Sequence, residues 1–338
     1  MKNPSRRGVL AGGNWIIDHV KMLDAWPLQD TLATITSQSD GNGGCPYNVL
    51  KNLSRLHSGF PLEGVGLLGQ DADAETILRD CREHGIDVSG LQQTDAAPTS
   101  YTDVMTVSNT GRRTFFHQHG ANALLGEEHF SLARSQARIF YFGYLCLLRR
   151  LDALTRDGRT GASRLLELAR NLGMITIADL VSAPTDFPSI VNPSLPHLDY
   201  LLLNEYELAR LTQTAEEVEA AKEPSRLEAS ARAVLERGVH RAVIVHFPEG
   251  AICVRRGEPT LTQASVRVPK EIVVGTAGAG DAFGAGFVLG LHEGWELQRC
   301  LELAVCAAAA SLRATTCSAS IEPWQQCLAF GKKLGFIT

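Results

Sequence analysis

GTAGAGDAFGAGFVLGL, residues 275–291, decides the predicted fold, because it places a glycine turn and an acidic residue at the start of an apolar helix. The β-branched run Ile272-Val273-Val274 predicts a strand that ends where the glycines begin. Backbone N–H groups at the start of the following helix favour an anion, and Asp281 lies in the first predicted turn beside them. A carboxylate at this position can accept a proton from an alcohol that attacks a phosphoryl group.

The same segment resembles the C-terminal signature Asp-Thr-x-Gly-Ala-Gly-Asp of the ribokinase-like (PfkB) sugar and nucleoside kinases. The matching residues are Thr276, Gly278, Ala279, Gly280 and Asp281. Gly275 stands where that family has its first aspartate. The resemblance implies that Asp281 is the catalytic base, that Gly278, Ala279 and Gly280 stabilise charge on the transferred phosphoryl group, and that Thr276, Gly278 and Gly280 contribute to an ATP site. A tight strand-to-helix turn, with glycines that serve only helix packing, is the structural alternative.

Composition excludes several classes of protein. The chain has 338 residues, is 44% hydrophobic and carries a formal net charge of −5. Charges of both signs are scattered, so we expect neither a nucleic acid nor an anionic membrane as partner. No apolar run approaches the roughly 18 residues of a membrane span. The eight cysteines form no Cys-x-x-Cys pair and several lie in apolar segments, which predicts reduced thiols in a cytoplasmic protein.

From about residue 139, short apolar runs alternate with amphipathic helical patterns. The predicted strands are 139–142, 174–178, 200–203 and 242–245, and the predicted helices are 163–172, one that begins at 205, and 226–236. Continuous apolar strands separated by helices predict a parallel sheet that is covered on both faces. Ligands of such sheets bind at the carboxyl ends of the strands.

Two earlier segments alternate apolar and polar residues instead. They are 31–36 and 100–107, and the second turns at 108–111 into 112–116. This alternation predicts antiparallel strands with one exposed face. In the ribokinase-like family, two such excursions form a small sheet that lids the substrate and often joins two subunits. The resemblance therefore implies an α/β fold of three α/β/α layers with a mostly parallel central sheet. It implies one kinase domain over residues 1–338, a β-sheet lid inserted at about 18–40 and 97–120, and a homodimer formed through the lid.

Acceptor contacts are predicted at two places near the N-terminus. Gly43, Gly44 and Asn48 match the Gly-Gly-x-x-x-Asn signature of the resembling family. The glycines would let a polar ligand approach the backbone, and the Asn48 amide can donate to and accept from hydroxyl groups. Asp18 follows the first predicted strand, where relatives have an aspartate that binds substrate hydroxyls. The alternative for Asp18 is a solvated turn residue.

Further site residues follow from the same resemblance. In relatives, a lid arginine and the residues after it reach the acceptor or the transferred phosphate, which implies Arg113 and Asn122. Asn204 and Glu207 match an Asn-x-x-Glu motif that positions Mg²⁺ and the nucleotide phosphates, largely through water, and hard cations prefer such oxygen ligands. The alternative for this pair is an N-capping asparagine with an acidic first turn. His246 and Gly250 stand where relatives have a turn against the nucleotide, although Pro248 replaces a usual glycine there.

Gly64-Val65-Gly66-Leu67-Leu68-Gly69 fits the dinucleotide-binding pattern Gly-x-Gly-x-x-Gly. That pattern requires a preceding strand and a helix that begins within it. Here the helix is predicted to begin only after Gly69, around 71–74, so the glycines are expected in and at the end of a strand. We therefore expect a structural role, with Asp71 at the turn.

Together these observations predict an ATP-dependent phosphotransferase that acts on a hydroxyl of a sugar or a nucleoside, with Mg²⁺ as cofactor. Because Gly275 offers no carboxylate, we expect weak or no use of a monovalent cation. The alternative is a catalytically inactive sugar- or nucleotide-binding protein on the same fold. The sequence does not identify the acceptor.

Overall fold

The computed structural model describes residues 6–213 and 224–337. The strands in this part of the chain are β1 Val9–Gly13, β2 Ile16–Leu23, β3 Ile35–Gly43, β4 Leu62–Gly69, β5 Ile86–Thr94, β6 Ser100–Val107, β7 Arg113–Gln118, β8 Ile139–Leu145, β9 Ile175–Leu180, β10 Tyr200–Asn204, β11 Ala242–Phe247, β12 Gly250–Arg255 and β13 Leu261–Ala264. The helices are α1 Cys45–Arg55, α2 Ala72–Glu83, α3 Gly161–Asn171, α4 Phe187–Val191, α5 Glu205–Thr212, α6 Pro224–Glu236, α7 Ala279–His292, α8 Leu297–Ser311 and α9 Trp324–Leu334.

Nine strands form the central sheet, in the order β13-β12-β11-β10-β9-β8-β1-β4-β5. Neighbouring strands from β11 to β5 are parallel, and β12 pairs antiparallel with both of its neighbours. The predicted mostly parallel sheet is therefore confirmed. The register places the carboxyl ends of β8 to β11 side by side, which brings the polar residues that follow them to one edge of the sheet.

Helices cover both faces of the central sheet, because consecutive strand residues point to opposite sides. On β1, Val9 and Ala11 belong to one apolar core and Leu10 belongs to the other. The first core is closed by α1, α2, α7, α8 and α9, and the second by α3, α4, α5 and α6. The predicted three-layer α/β/α architecture is confirmed.

A second sheet of four strands, in the order β3-β2-β6-β7, forms the lid. Strands β2 and β6 are parallel, and the outer pairs are antiparallel. On one face of the lid the side chains lie in three rows across β2, β6 and β7. The rows are Asp18, Thr102 and His117; Val20, Val104 and Phe115; and Met22, Thr106 and Arg113. This face is turned towards the glycine loop, since lid residues line the same cavity as Val274 and Ala277.

One of the predicted strands is wrong, and a second begins later than predicted. Ile272–Val274 was expected to be a strand, but Lys270–Ile272 is a 3₁₀ turn and Val274 hydrogen-bonds to Leu312 outside the sheets. The segment crosses the end of the sheet, so its β-branched side chains are exposed rather than paired with a neighbouring strand. The alternation at 31–36 likewise predicts a strand too early, because β3 begins only at Ile35, after a turn in which Thr31 hydrogen-bonds to Leu28.

The glycines at 64 and 66 lie within β4 and make room for an indole ring. A Cβ at Gly64 would come within 2.8 Å of the Trp15 ring, and a Cβ at Gly66 would overlap the same ring. Helix α2 begins only at Ala72, where the Asp71 side chain accepts a hydrogen bond from Ala74 as N-cap. The predicted structural role of this segment is supported, and the dinucleotide alternative lacks the helix that it needs.

All eight cysteines lie within the described residues, where they are buried free thiols. Among these residues, every helix is too short or too polar to cross a membrane.

Candidate active site

The glycine loop ends at the N-terminus of α7. Gly278 is the N-cap residue and has a φ of 76°, in the left-handed region that favours glycine. A Cβ there would also overlap the Cβ of Cys317. The first amide N–H groups of a helix have no carbonyl partner one turn earlier, so those of Gly280 and Asp281 are directed out of the helix end, whereas the Ala279 amide N–H donates to the Thr276 carbonyl at 3.4 Å. The structure thus places free amide groups at this helix end, and their binding of an anion stays a prediction.

Asp281 is buried in the first turn of α7, where side chains from other elements hold its carboxylate. The Asn48 amide donates a hydrogen bond to Oδ2 at 2.8 Å, and the Tyr144 hydroxyl lies 2.8 Å from both carboxylate oxygens. Burial raises the pKa of Asp281 to about 6, and the hydrogen bonds from Asn48 and Tyr144 oppose that rise. At neutral pH the carboxylate is therefore largely ionised and has the basicity that a general base needs.

Other acidic groups surround this base. The Cys45 sulfur and carboxylate oxygens of Asp179 and Asp281 all lie within 4.8 Å of one another. Burial and the negative charge of Asp281 hold the pKa of the Asp179 carboxyl well above its usual range. The Tyr141 hydroxyl donates to Asp179 at 2.9 Å. Titratable groups are thus concentrated at the carboxyl end of β9, next to the N-terminus of α7.

A cavity of about 560 Å³ opens on one side of the glycine loop. Its floor includes Thr276 and Gly280, and Val305, Ala308 and Ala309 of α8 form an apolar wall. The remaining predicted nucleotide contacts, Asn204, His246 and Gly250, also line it. Burial lowers the pKa of His246 to about 4, so this ring is neutral and can accept a hydrogen bond near the helix end. The volume and the apolar wall suit a nucleotide base and ribose, with the phosphates towards Gly280.

A second cavity of about 250 Å³ continues from the first towards Asp281. Glu207 lines it and is held by a capping box, in which the Asn204 amide N–H donates to Oε2 at 2.9 Å and the Asn204 side chain accepts from Glu207. The Ser182 hydroxyl donates to Oε1 at 3.0 Å. Burial raises the pKa of Glu207 to about 7. A buried carboxylate among other acids, facing a polar cavity, fits an oxygen-ligated divalent cation. The capping of α5 by Asn204 and Glu207 is compatible with the binding of a cation by the same residues.

The third cavity, about 190 Å³, lies between the lid and the glycine loop. Asp18 and Arg113 project into it from the lid, and Thr316 and Cys317 face them from the loop after α8. Burial, and next the charge of Asp281, raise the pKa of Asp18 to about 7. The negative charge of Asp281 therefore reaches the Asp18 carboxyl from the adjoining part of the site.

The N-terminal signature residues meet at this point. Gly43 ends β3, and a Cβ on it would overlap the Asp18 carboxylate, so the missing side chain lets Asp18 pack there. Gly44 is the N-cap of α1, and its carbonyl accepts a hydrogen bond from the Asn48 amide N–H at 3.0 Å. The Asn48 side chain donates to Asp281 and accepts from Asn42 at 2.5 Å. In this structure Asn48 orients Asp281, and its contact with an acceptor stays a prediction.

Arg113 takes the space that a side chain at position 275 would need. An ideal Cβ on Gly275 would overlap the guanidinium Nη2 of Arg113 and lie 2.9 Å from the Ala314 carbonyl oxygen. Among the described residues, this guanidinium has no hydrogen-bond or ion-pair partner. Arg113 therefore brings positive charge from the lid to the beginning of the glycine loop.

Asn122 lies apart from the three cavities, as do Gly43, Gly44 and Asn48. The Asn122 side chain is fully buried and makes two hydrogen bonds with the Trp15 main chain, at 3.3 and 3.1 Å. These contacts hold the turn that leads from β1 into β2, the strand that carries Asp18. Direct contact of Asn122 with an acceptor stays a prediction.

Tyr144 is a residue of this site that sequence reasoning missed. It lies near the end of β8 and lines the second cavity. Its position after a run of apolar strand residues is the only sequence signal, and an aromatic residue there is equally typical of a core. Only the contact of its hydroxyl group with Asp281 distinguishes Tyr144 from an aromatic residue of the core.

Comparisons with known proteins agree with this geometry. Residues 9–324 match the model of the pfkB family of carbohydrate kinases. A ribokinase of Arabidopsis thaliana is 27% identical over 261 residues, which cover 75% of this chain and 62% of that protein, so the chain spans somewhat less than two thirds of it.

Solved structures support the fold. An Arabidopsis thaliana ribokinase complexed with ribose and ATP superposes with a TM-score of 0.78 at 22% identity, covering 96% of this chain and 99% of that one. A Burkholderia thailandensis nucleoside kinase in complex with inosine superposes with a TM-score of 0.73 at 16% identity, covering 96% and 98%. With the family match over most of its length, this chain belongs to the pfkB family of carbohydrate kinases.

Proposed function

We propose that this chain is an ATP-dependent kinase that transfers the γ-phosphoryl group to a hydroxyl of a sugar or a nucleoside. The observation that carries the proposal is the position of Asp281. It lies in the first turn of α7 and lines the second cavity, while the glycine loop before it lines the nucleotide-sized cavity through Thr276 and the Asp18 cavity through Ala277. This arrangement brings a base, an anion cradle and two substrate sites to one point.

In the proposed reaction, Asp18 binds acceptor hydroxyls and Asp281 accepts the proton of the hydroxyl that attacks. A bond forms between that oxygen and the γ-phosphorus, the bond from the γ-phosphorus to its bridging oxygen breaks, and ADP leaves. The amides of Ala279, Gly280 and Asp281 stabilise the charge that develops on the transferred group. Arg113 adds positive charge from the lid, and a closed lid excludes water.

Asn204 and Glu207 are the residues that would hold Mg²⁺ in this proposal. The support is the buried oxygen-donor set at the second cavity, which lies between the proposed nucleotide site and Asp281. Bound there, the cation supplies positive charge that offsets the phosphate oxygens and the neighbouring acidic groups.

The length of the acceptor cavity bears on the identity of the acceptor. From Asp18 to Met22 the lid wall runs about 13 Å, at roughly 3.3 Å per strand residue. Between the ends lie Val20 and Val104, and the buried Thr106 hydroxyl has no hydrogen-bond partner among the described residues. A pentose chain, with carbon–carbon bonds of about 1.5 Å, spans less than half of that length. The cavity therefore favours an acceptor that extends beyond one sugar ring.

The direct test is ADP release from ATP and Mg²⁺ with a panel of pentoses, ketohexoses and nucleosides. Acceptor-dependent ADP release supports the kinase, and the ranking of kcat/KM identifies the acceptor class. A non-catalytic binding protein on the same fold is the alternative, favoured by Gly275 and Pro248 where relatives differ. Ligand binding without ADP release from any acceptor would support that alternative.

We expect turnover that does not depend on K⁺. The resembling kinases commonly use a monovalent cation beside the anion cradle, with an aspartate at the position of Gly275. Here that carboxylate is missing and the Arg113 guanidinium lies against Gly275, so the residues present do not fit a cation. Turnover in Tris buffer with and without KCl, at constant ionic strength, should be equal. Strong, saturable K⁺ activation would contradict this expectation.

We also propose that two copies of the chain associate through the lid. The support is a group of exposed apolar side chains on or beside β2, β3 and β7: Trp26, Leu28, Leu32, Ile35 and Phe116. Trp26 and Phe116 stack with ring centroids 6.3 Å apart. A group of this kind, next to exposed strand edges, is typical of an interface.

The eight buried thiols support a further proposal, a cytoplasmic location.

Leu32→Asp should convert the proposed dimer into a monomer, because Leu32 is 94% exposed and a charge in an apolar interface is costly to bury. Sedimentation velocity at several protein concentrations measures the change. Leu154→Asp is the matched control, since Leu154 is exposed outside the lid. A wild-type chain that sediments as a monomer, or a Leu32→Asp variant that remains a dimer, would contradict the lid interface.

A further inference from the structure

The Tyr144 hydroxyl group is the feature of this site that neither the sequence motifs nor the proposed reaction uses. It lies 2.8 Å from both Asp281 oxygens, whereas the Asn48 amide contacts only Oδ2. Tyr144 therefore bridges both carboxylate oxygens, and the Cys45 thiol is a further side chain that contacts Asp281. Without the Tyr144 contact, the carboxylate could rotate about its bond to Cβ while it kept the Asn48 contact.

Hydrogen bonds with Asn14 hold the main chain at Tyr144 in place. The Tyr144 amide N–H donates to the Asn14 side-chain oxygen at 2.5 Å, and the Asn14 amide N–H donates to the Gly143 carbonyl at 2.9 Å. Asn14 is fully buried and its side chain also reaches the Leu147 carbonyl. These hydrogen bonds join the end of β8 to the end of β1. They fix the main-chain position from which the Tyr144 ring reaches Asp281.

The phenol also stays a donor throughout the working pH range. Burial and the negative charge of Asp281 hold the pKa of Tyr144 well above its usual range, so the hydroxyl keeps its proton. A neutral donor stabilises the ionised carboxylate without competing for the proton that Asp281 is to accept.

We infer that Tyr144 is the positioning residue of the base: its hydroxyl orients the Asp281 carboxylate towards the acceptor and keeps it ionised. The kinetic consequence of this inference rests on the proposed kinase function. The contact between Tyr144 and Asp281 does not depend on that function. Tyr144 acts through Asp281, and the reacting oxygen is bound elsewhere.

Tyr144→Phe removes one oxygen and keeps the ring. Loss of the donor should raise the pKa of Asp281 by about one unit, tenfold in its acid dissociation constant. Because the base must be ionised, the acid limb of the kcat profile should move by the same amount to higher pH, from near pH 6. We expect a lower kcat at neutral pH, from the lost orientation, and an unchanged KM for ATP.

Tyr141→Phe is the matched control. Tyr141 lies on the same strand and its buried hydroxyl donates to Asp179 rather than to Asp281. The other titratable or charged side chains around the base are the same in both variants: Cys45, Asp18, Asp179, Glu207, His246, Cys317 and Arg113. A shift seen only in Tyr144→Phe therefore comes from the contact with Asp281.

The contact can be measured without turnover. In protein labelled with ¹³C at aspartate carboxyl groups, the Asp281 signal is assigned as the one missing from Asp281→Asn, and its titration is followed in wild type and both variants. An Asp281 pKa raised in Tyr144→Phe and unchanged in Tyr141→Phe supports the inference. An equal pKa in all three, or a Tyr144→Phe chain that does not fold, overturns it. A wild type that releases no ADP refutes the kinase, while the titration still decides the role of Tyr144.

Discussion

Asp281→Asn lowers kcat by about 10²- to 10⁴-fold, the usual cost of removing a general base. The amide has the shape of the carboxylate and can keep the contacts with Asn48 and Tyr144, so folding and ATP binding are preserved. It cannot accept the proton of the attacking hydroxyl. Steady-state ADP release measures kcat, and isothermal titration measures the affinity for ATP.

Asp152→Asn is the control for this variant. Asp152 is also a buried carboxyl, with its pKa raised by burial to about 7, and it accepts a hydrogen bond from the Leu148 amide N–H instead of lying in the site. Its replacement should leave kcat unchanged. Near-full activity of Asp281→Asn on the true acceptor would refute the assignment of the base.

Asp18→Ala raises the KM of the acceptor by about 10- to 100-fold and leaves the KM of ATP nearly unchanged. A hydrogen bond to a charged group contributes about 1.5–3 kcal/mol, which corresponds to that range. The selectivity follows from geometry, because Asp18 lines the cavity under the lid and the proposed nucleotide cavity lies on the other side of the glycine loop. Initial rates with each substrate varied in turn give both KM values.

Asp24→Ala supplies the comparison within the lid. Asp24 is exposed and its carboxylate accepts hydrogen bonds from the Ala25 and Thr34 amides, outside all three cavities. Both KM values should stay at their wild-type level. If Asp18→Ala changed both KM values together, or neither, Asp18 would be a structural residue of the strand.

The sequence predicts strands and helices correctly where apolar periodicity is strong and where a neighbouring strand or helix is available for the segment to pair with or pack against. The strands at 200–203 and 242–245 and the helix from 205 agree with β10, β11 and α5. Ile272–Val274 fails because β-branched side chains indicate a strand only where a neighbouring strand is available to pair. At that point the chain crosses the end of the sheet and hydrogen-bonds to Leu312 instead.

Within the candidate site, the sequence by itself determined the residues whose role depends on local geometry. The glycines before α7, the acid in its first turn and the Asn204–Glu207 pair can all be predicted, because a helix terminus needs them within a few residues of one another. Contacts over long separations depend on the tertiary structure. Only the packing of β8 and α1 against α7 brings Tyr144 and Asn48 to Asp281, and only the folded lid puts Arg113 against Gly275. Local spacing carries no information about such contacts, since strand order and lid position are set by the burial of the whole apolar core.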